Sequence, residues 1–267
     1  MFDKNFCRRY NAGTQSEQTI FNGIFSGNAL KLLACAFMLV DHIGAILFPE
    51  LSVLRAVGRL AMPLFAFTFA EGCFYTRKKL WHFLLVLGIG LVTSAGFSFA
   101  EGVLRADIMI SFSMSCLAMY ALGALKRSAF RREKKKIVLF SLALAAVLAG
   151  ATWLCCFSPV HVDYGIAGVL LPVSVRLLDV RSYGGKGLLA ELYHPATALL
   201  LFTICLVVIA IPRGSIQLFS LLALPLIALY NGRRGKLRLK YFFYCFYPLH
   251  LALLAGIWLA LHPEFFI

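Results

Sequence analysis

The chain has 267 residues, of which 61% are hydrophobic and 14% charged, and its mean hydropathy is +0.83. Soluble globular domains carry about a quarter charged residues, so the composition excludes an ordinary soluble protein and leaves no room for a sizeable soluble domain beside membrane spans. The formal net charge of +14 does not imply a nucleic-acid partner, because the placement of the charges accounts for most of it.

Residues 1–27 are polar and mixed and carry no secretory signal pattern. They are expected to form a cytoplasmic amino-terminal segment, with residues 28–267 forming one transmembrane domain. At the start of that domain Ser26 or Asn28 supplies a helix N-cap. The stretch that follows, 28–48, has the roughly 20 apolar residues that cross a bilayer. It also contains the adjacent pair Asp41-His42. An Asp at the centre of a spanning helix costs about 2.5–3.5 kcal/mol on insertion scales, so the pair needs a partner, a water-filled cavity or a chemical task.

Nine spans are predicted, at 28–48, 53–75, 80–99, 107–125, 137–157, 164–179, 194–211, 215–230 and 241–261. The sixth and eighth are short enough to be tilted, broken or re-entrant, so the range is eight to ten. The predicted fold class is all-α, a polytopic integral-membrane helix bundle. The basic residues fall in alternate loops: Arg77, Lys78 and Lys79; a run from Lys126 to Lys136; Arg176, Arg181 and Lys186; then Arg233, Arg234, Lys236, Arg238 and Lys240. The other loops hold Arg105 and Arg213 with Glu50, Glu101 and Asp163. This alternation is the positive-inside pattern, and it predicts a cytoplasmic amino terminus and an external carboxyl terminus.

The second span carries Arg55, Arg59 and Glu71. Arg55 and Arg59 are four apart and so share a helix face. At 1.5 Å per residue, Arg59 and His42 both lie about 9 Å from the outer ends of their spans. Consecutive helices joined by a short loop are normally neighbours. Asp41, His42 and Arg59 are therefore expected in one layer, with Arg55 either joining it or snorkelling to the surface. A structural ion pair that fixes helix register is the competing reading of Asp41 and these arginines. Glu71, near the inner end of the second span, is read as a structural group, with Arg77 as one available partner, against a functional alternative. His161, Asp163 and Tyr164 are candidates for the same outer entrance, or are ordinary loop and cap groups. Tyr247 and His250, near the centre of the last span, either line a cavity or pack between helices. The eight cysteines show no CxxC and no Cys/His ligand spacing. They are read as small buried hydrophobes, and no metal is expected.

The stretches SGNALKLLACAFMLVDHIGAILFP, VGRLAMPLFAFTFAEGCFYTR, DYGIAGVLLP, ALYNGRRGK and KYFFYCFYPLHLALL, taken in this order, resemble the TraX family of membrane proteins. At ISFSMSCLAMYAL the chain departs from the family's pattern, so no role is carried to Ser111 or Ser113. The resemblance implies an acetyltransferase using acetyl-CoA in a bacterial-type cell (inner) membrane. It is distantly similar to acyltransferase-3 and heparan N-acetyltransferase membrane proteins, in which an essential His and nearby arginines lie near the outer end of an early helix. His42 and Arg59 match that pattern.

The expected activity is transfer of an acetyl or short acyl group from cytoplasmic acyl-CoA to a peptide, glycan or small-amine acceptor. His42 would be the general base, Arg59 the oxyanion or phosphate partner, and Asp41 the residue that orders the layer. Transfer is either direct or by way of an acyl-His42. Arg55, Asp163, Tyr164, Tyr247 and His250 are the expected binding residues within the membrane, and Arg233 and Arg234 are candidates for the CoA phosphates. Two other classes stand beside this one: a small-solute transporter, on the strength of the intramembrane charges and short spans, and a non-catalytic partner of a conjugation or secretion apparatus.

Overall fold

A computed structural model describes residues 23–184, 187–237 and 239–263. Residues 1–22, Lys186 and Arg238 lie outside the described residues, and with them most of the expected amino-terminal segment. The helices are α1 (Gly27–Ile46), α2 (Ser52–Gly58), α3 (Ala61–Tyr75), α4 (Lys79–Glu101), α5 (Ile108–Phe130), α6 (Lys134–Cys156), α7 (Gly165–Arg176), α8 (Leu188–Leu192), α9 (Pro195–Ala210), α10 (Ser215–Leu218), α11 (Ala223–Ala228) and α12 (Lys240–Leu261). Two short strands, β1 (Arg105–Ala106) and β2 (His161–Val162), pair in parallel, with Arg105 opposite His161.

Local chemistry sets the helix boundaries. The Ser26 hydroxyl accepts from the Ala29 amide at 3.2 Å and caps α1. The Asp107 carboxylate accepts from the Met109 and Ile110 amides and caps α5. At the end of α4, Gly102 takes the left-handed conformation (φ 69°) that a side chain would disfavour.

Among the described residues, seven helical stretches are long and apolar enough to cross a membrane, which marks a multi-pass membrane protein. The outside of the bundle is correspondingly apolar. On α6, Val138, Leu139, Leu142 and Trp153 are exposed, and Ala151 is the buried residue. In lipid, helices associate through close packing and small residues rather than by hiding apolar surface. Ala34, Ala66, Ala70 and Ala118 accordingly lie fully buried between helices, around a core of Leu30, Leu64, Phe112, Leu171, Phe202, Leu206 and Ile209.

Among the described residues, seven of the nine expected spans coincide with helical stretches long and apolar enough to cross a membrane, and the sixth and eighth are shorter apolar helices. The second is not continuous: α2 ends at Gly58, and Arg59 and Leu60 turn the chain before α3 begins. The eighth is a broken element in which a 3-10 turn (Phe219–Leu222) separates α10 from α11. The sixth, α7, has 12 residues, about 18 Å of helix, too short for a hydrocarbon core of about 30 Å. The β1–β2 pairing fastens the loop before α5 to the loop before α7, and so fixes Arg105 and Asp163 beside each other.

Candidate functional site

The site begins where α1 and α2 touch. A Cβ on Gly58 would lie 2.3 Å from the Asp41 Cβ, and one on Gly44 would lie 2.7 Å from the Leu54 Cβ. Glycine at both positions is what lets the two helices approach so closely. That approach delivers both arginines to Asp41: one Arg55 terminal nitrogen lies 2.8 Å from Oδ2, and one Arg59 terminal nitrogen lies 3.8 Å from Oδ1. Arg55 also donates to the Asp41 main-chain carbonyl at 3.1 Å, so it joins the layer rather than snorkelling. The arrangement holds two guanidiniums against one carboxylate and leaves bonding capacity unused. Among the described residues, Asp41 Oδ1 and Arg59 Nε are buried and without a hydrogen-bond partner.

Tyr164 completes this side of the layer. It caps α7 in the left-handed conformation (φ 61°), which is rare for a residue with a bulky side chain. Such backbone strain persists where surrounding contacts hold it. Its hydroxyl faces Arg59 at 3.5 Å, and Arg213 lies over its ring at 4.8 Å. Asp163 pairs with Arg105 at 3.1 Å, and Arg105 also pairs with Glu101. Burial pushes the Asp163 carboxyl above the usual carboxylate range, against the pull of the Arg105 guanidinium.

His42 bonds to none of these groups. Its Nδ1 lies 2.9 Å from Nε2 of His250 on α12, 208 residues away in sequence. The tautomers follow from the last member of the chain. His250 Nδ1 is 2.7 Å from the Phe246 carbonyl oxygen, which can only accept. With both rings neutral, His250 carries its hydrogen on Nδ1 and accepts at Nε2. His42 must donate from Nδ1, which leaves its Nε2 with a lone pair. A ring held in one orientation and one tautomer by a second group is the arrangement a general base requires.

A cavity of about 2270 Å³ adjoins this layer. Asp41, His42, Arg55, Arg59, Asp163, Tyr164 and Tyr247 line it, and so do Arg233 and Arg234 from the opposite, basic-loop end. Lys126, Arg127 and Lys236 line it as well, with Phe65, Phe69 and Phe112 among the apolar wall residues. One expectation needs correction in kind: His250 is buried and does not line the cavity, but holds the residue that does. A second needs correction in its partner. Glu71 pairs with Arg176, at 2.6 Å, and not with Arg77, because α7 packs directly against α3. Sequence reasoning overlooked Arg105 and Arg213, which line the same cavity. Both had looked like ordinary loop charges. The available signal was that they are the two basic residues breaking the alternation of charged loops.

The family model described as TraX protein matches residues 26–258. A probable fimbrial assembly protein of Dichelobacter nodosus is 27% identical over 249 residues, covering 87% of this chain and 95% of that one. An uncharacterized protein of Rickettsia prowazekii is 37% identical over 91 residues, 34% of this chain and 35% of that protein. No solved structure matches. The family match runs unbroken from the cap of α1 nearly to the end of α12, through every element that builds the arginine layer and the paired histidines, and the chain belongs to the TraX family.

Proposed function

We propose that this protein is an integral-membrane acyltransferase that moves an acetyl or other short acyl group from acyl-CoA to an amine or hydroxyl acceptor. The observation that carries this reading is that one cavity is lined both by His42 and, at its basic end, by Arg233 and Arg234. The residues present suit acyl-CoA. Lys126, Arg127, Arg233, Arg234 and Lys236 offer cations to its phosphates, and aromatic walls lead inward toward the layer. The cavity exceeds the roughly 300–1,000 Å³ of ordinary small-molecule pockets, as a long donor and a second substrate require.

In this reading His42 Nε2 takes the proton from the acceptor as its nitrogen or oxygen attacks the thioester carbonyl. The new C–N or C–O bond forms and the C–S bond breaks. The proton passes from His42 to the departing thiolate. His250 keeps the His42 ring oriented through the Nδ1 bond, and shares the positive charge that develops on it. Arg59, with an unbonded Nε and a loosely held terminal nitrogen, faces the carbonyl oxygen as it becomes negative. Donors of this kind lower the barrier by about 2.7–4 kcal/mol. Asp41 holds both arginines in place. The positive-inside rule, applied to the basic loops, supports a donor on the cytoplasmic side.

Radiolabelled acetyl-CoA tests the reading. The expected results are thermal stabilisation of the detergent-solubilised protein by acetyl-CoA and label transfer to an amine acceptor. A folded His42→Ala protein that transferred label at the full rate would refute the role of His42. Absence of both stabilisation and transfer would remove the enzyme reading altogether. A second reading rests on the Dichelobacter relative, whose name is that of a fimbrial assembly protein. In that case this chain serves pilus or fimbrial assembly as a membrane partner. Co-purification with a pilus subunit without acyl chemistry would favour it.

A further inference from the structure

Away from the arginine layer, three helices converge on a second polar cluster that the acyl-transfer scheme does not use. Cys73 comes from near the end of α3, His82 from the start of α4, and Cys116 from α5. All three are buried, and one ligand atom from each lies within 4.8 Å of the others. Cys116 Sγ is 3.7 Å from His82 Nδ1. The Tyr120 hydroxyl, one turn further along α5, is 2.7 Å from that same nitrogen. His82 is also stacked on Phe69, with ring centroids 5.6 Å apart, which fixes the plane of the imidazole.

We infer that Cys73, His82 and Cys116 form a zinc site, with the Tyr120 hydroxyl or a small ligand from the cavity in the fourth position. The 3.7 Å between Cys116 Sγ and His82 Nδ1 matches one edge of a tetrahedral ligand set, and the third ligand atom lies within 4.8 Å of both. With Zn–S of about 2.3 Å and Zn–N of about 2.0–2.1 Å, a sulfur and a nitrogen on neighbouring corners stand about 3.5 Å apart. The two thiols and one imidazole are the ligand types zinc takes in both structural and open sites. Charge favours a divalent ion here. Two thiolates, one neutral imidazole and Zn²⁺ sum to zero, which suits a buried position among membrane helices, where an uncompensated charge is costly. Binding displaces one proton from each thiol, and both leave to solvent through the cavity. Cys73, His82 and Tyr120 line that cavity, so metal and protons have a path. The sequence gives no such indication, because the ligands come from three separate helices at spacings that match no metal motif. A bound ion would pin α3, α4 and α5 together beside the passage.

The test is made on the full chain, purified in detergent without chelators and analysed for metals. The expected result is one zinc per chain. After stripping, Co²⁺ should restore a thiolate-to-cobalt charge-transfer band, and Zn²⁺ should compete it away. Zinc should raise the melting temperature of the stripped protein, but not that of a Cys73→Ser/Cys116→Ser double variant. Cys205→Ser, outside the cluster, should behave as wild type. The wild-type spectrum decides the matter even if the double variant does not fold. Failure of the stripped wild-type protein to bind either Zn²⁺ or Co²⁺ would overturn the proposal. A Cys73–Cys116 disulfide in the freshly purified protein would overturn it as well, and would make the pair a redox couple instead. None of these readouts depends on acyl-transfer activity.

Discussion

Of the arginine–carboxylate centres on the wall of the same cavity, those of Arg176 and Arg59 differ in what they leave unbonded. Near the basic end, Arg176 spends all of its nitrogens. Nε and one terminal nitrogen bond Glu71 at 3.0 and 2.6 Å, and the other terminal nitrogen bonds Asp179 and Tyr193 at 2.9 and 3.2 Å. Asp179, fully buried, accepts in addition from the Ser182 amide and hydroxyl, and Phe74 lies flat beneath the guanidinium at 4.1 Å. At the other end, Asp41 Oδ1 and Arg59 Nε are buried with no hydrogen-bond partner among the described residues, and Arg59 touches its partners at 3.8 and 3.5 Å. A buried ion pair that only holds helices together gains by satisfying every donor and acceptor, since each one left over costs about 1–3 kcal/mol. A pair that must meet a changing charge cannot be saturated beforehand. The first centre has the construction of a clamp, and the second that of a binding group still waiting for its ligand.

The sharpest way to break this contrast is to remove the group the open centre surrounds. His42→Ala should lower acyl transfer by about 10²–10⁴-fold, the usual contribution of a positioned general base. Its melting temperature should stay close to that of the wild type, because among the described residues the His42 side chain shares one hydrogen bond. Transfer rate and thermal denaturation measured on the same preparation check both halves. A melting temperature that fell together with activity would make His42 a packing residue.

Exchanging the two arginines for methionine separates the centres directly. Arg176→Met leaves Glu71 and Asp179 buried without a counter-charge, and should destabilise the fold by about 3–5 kcal/mol, the cost of breaking a buried pair by deleting one partner. Arg59→Met removes a residue whose bonds are already long. It should cost little stability, but should lower the transfer rate about 10²–10³-fold, as loss of an oxyanion donor does. If the stability losses came out equal, the contrast between clamp and binding group would be wrong.

Gly58→Ala attacks the geometry beneath the open centre without changing any charge. The added methyl would fall 2.3 Å from the Asp41 Cβ, so α2 must move away from α1. The expected cost is about 1–3 kcal/mol of overpacking, with a loss of transfer larger than that modest destabilisation explains, because Arg55 and Arg59 both ride on the displaced segment.

How far the sequence revealed these features depended on the distance over which each is specified. The helices were legible because each is a continuous apolar run written in local residues, and the Ser26 cap of α1 was legible for the same reason. The Asp41–Arg55–Arg59 grouping could also be read, since a short loop joins the two helices and depth can be counted from their ends. The break at Arg59 was not read, because VLRAVGRLAMPLF continues one apolar pattern. Pro63 was the overlooked sign: proline is at home in the first turn of a new helix, where no intrahelical acceptor is lost. The partner of His42 was out of reach, for it lies in the last helix, and only the packed bundle decides that His250 meets His42 and not a neighbour. Glu71 shows the same limit, because its nearest cation in sequence was not its nearest in space.

The smallest effect expected concerns the far end of the cavity, and it tests whether the open centre works on a donor that enters from the basic loops. Arg233 and Arg234 line the passage but are exposed, so their charges are screened by salt and each ion pair they make with a phosphate contributes about 0.2–1 kcal/mol. The Arg233→Gln/Arg234→Gln double variant should therefore raise KM for acetyl-CoA only a few-fold and leave kcat unchanged, since uniform binding is lost without any change at His42. The wild-type KM should rise with ionic strength and the variant's should rise less, because the Debye length shrinks from about 10 Å at 0.1 M salt to 3 Å at 1 M. A fall in kcat instead would mean that these arginines act on the distant layer. An unchanged KM at low salt would mean that the donor reaches His42 by another route, and that the basic loops serve membrane orientation alone.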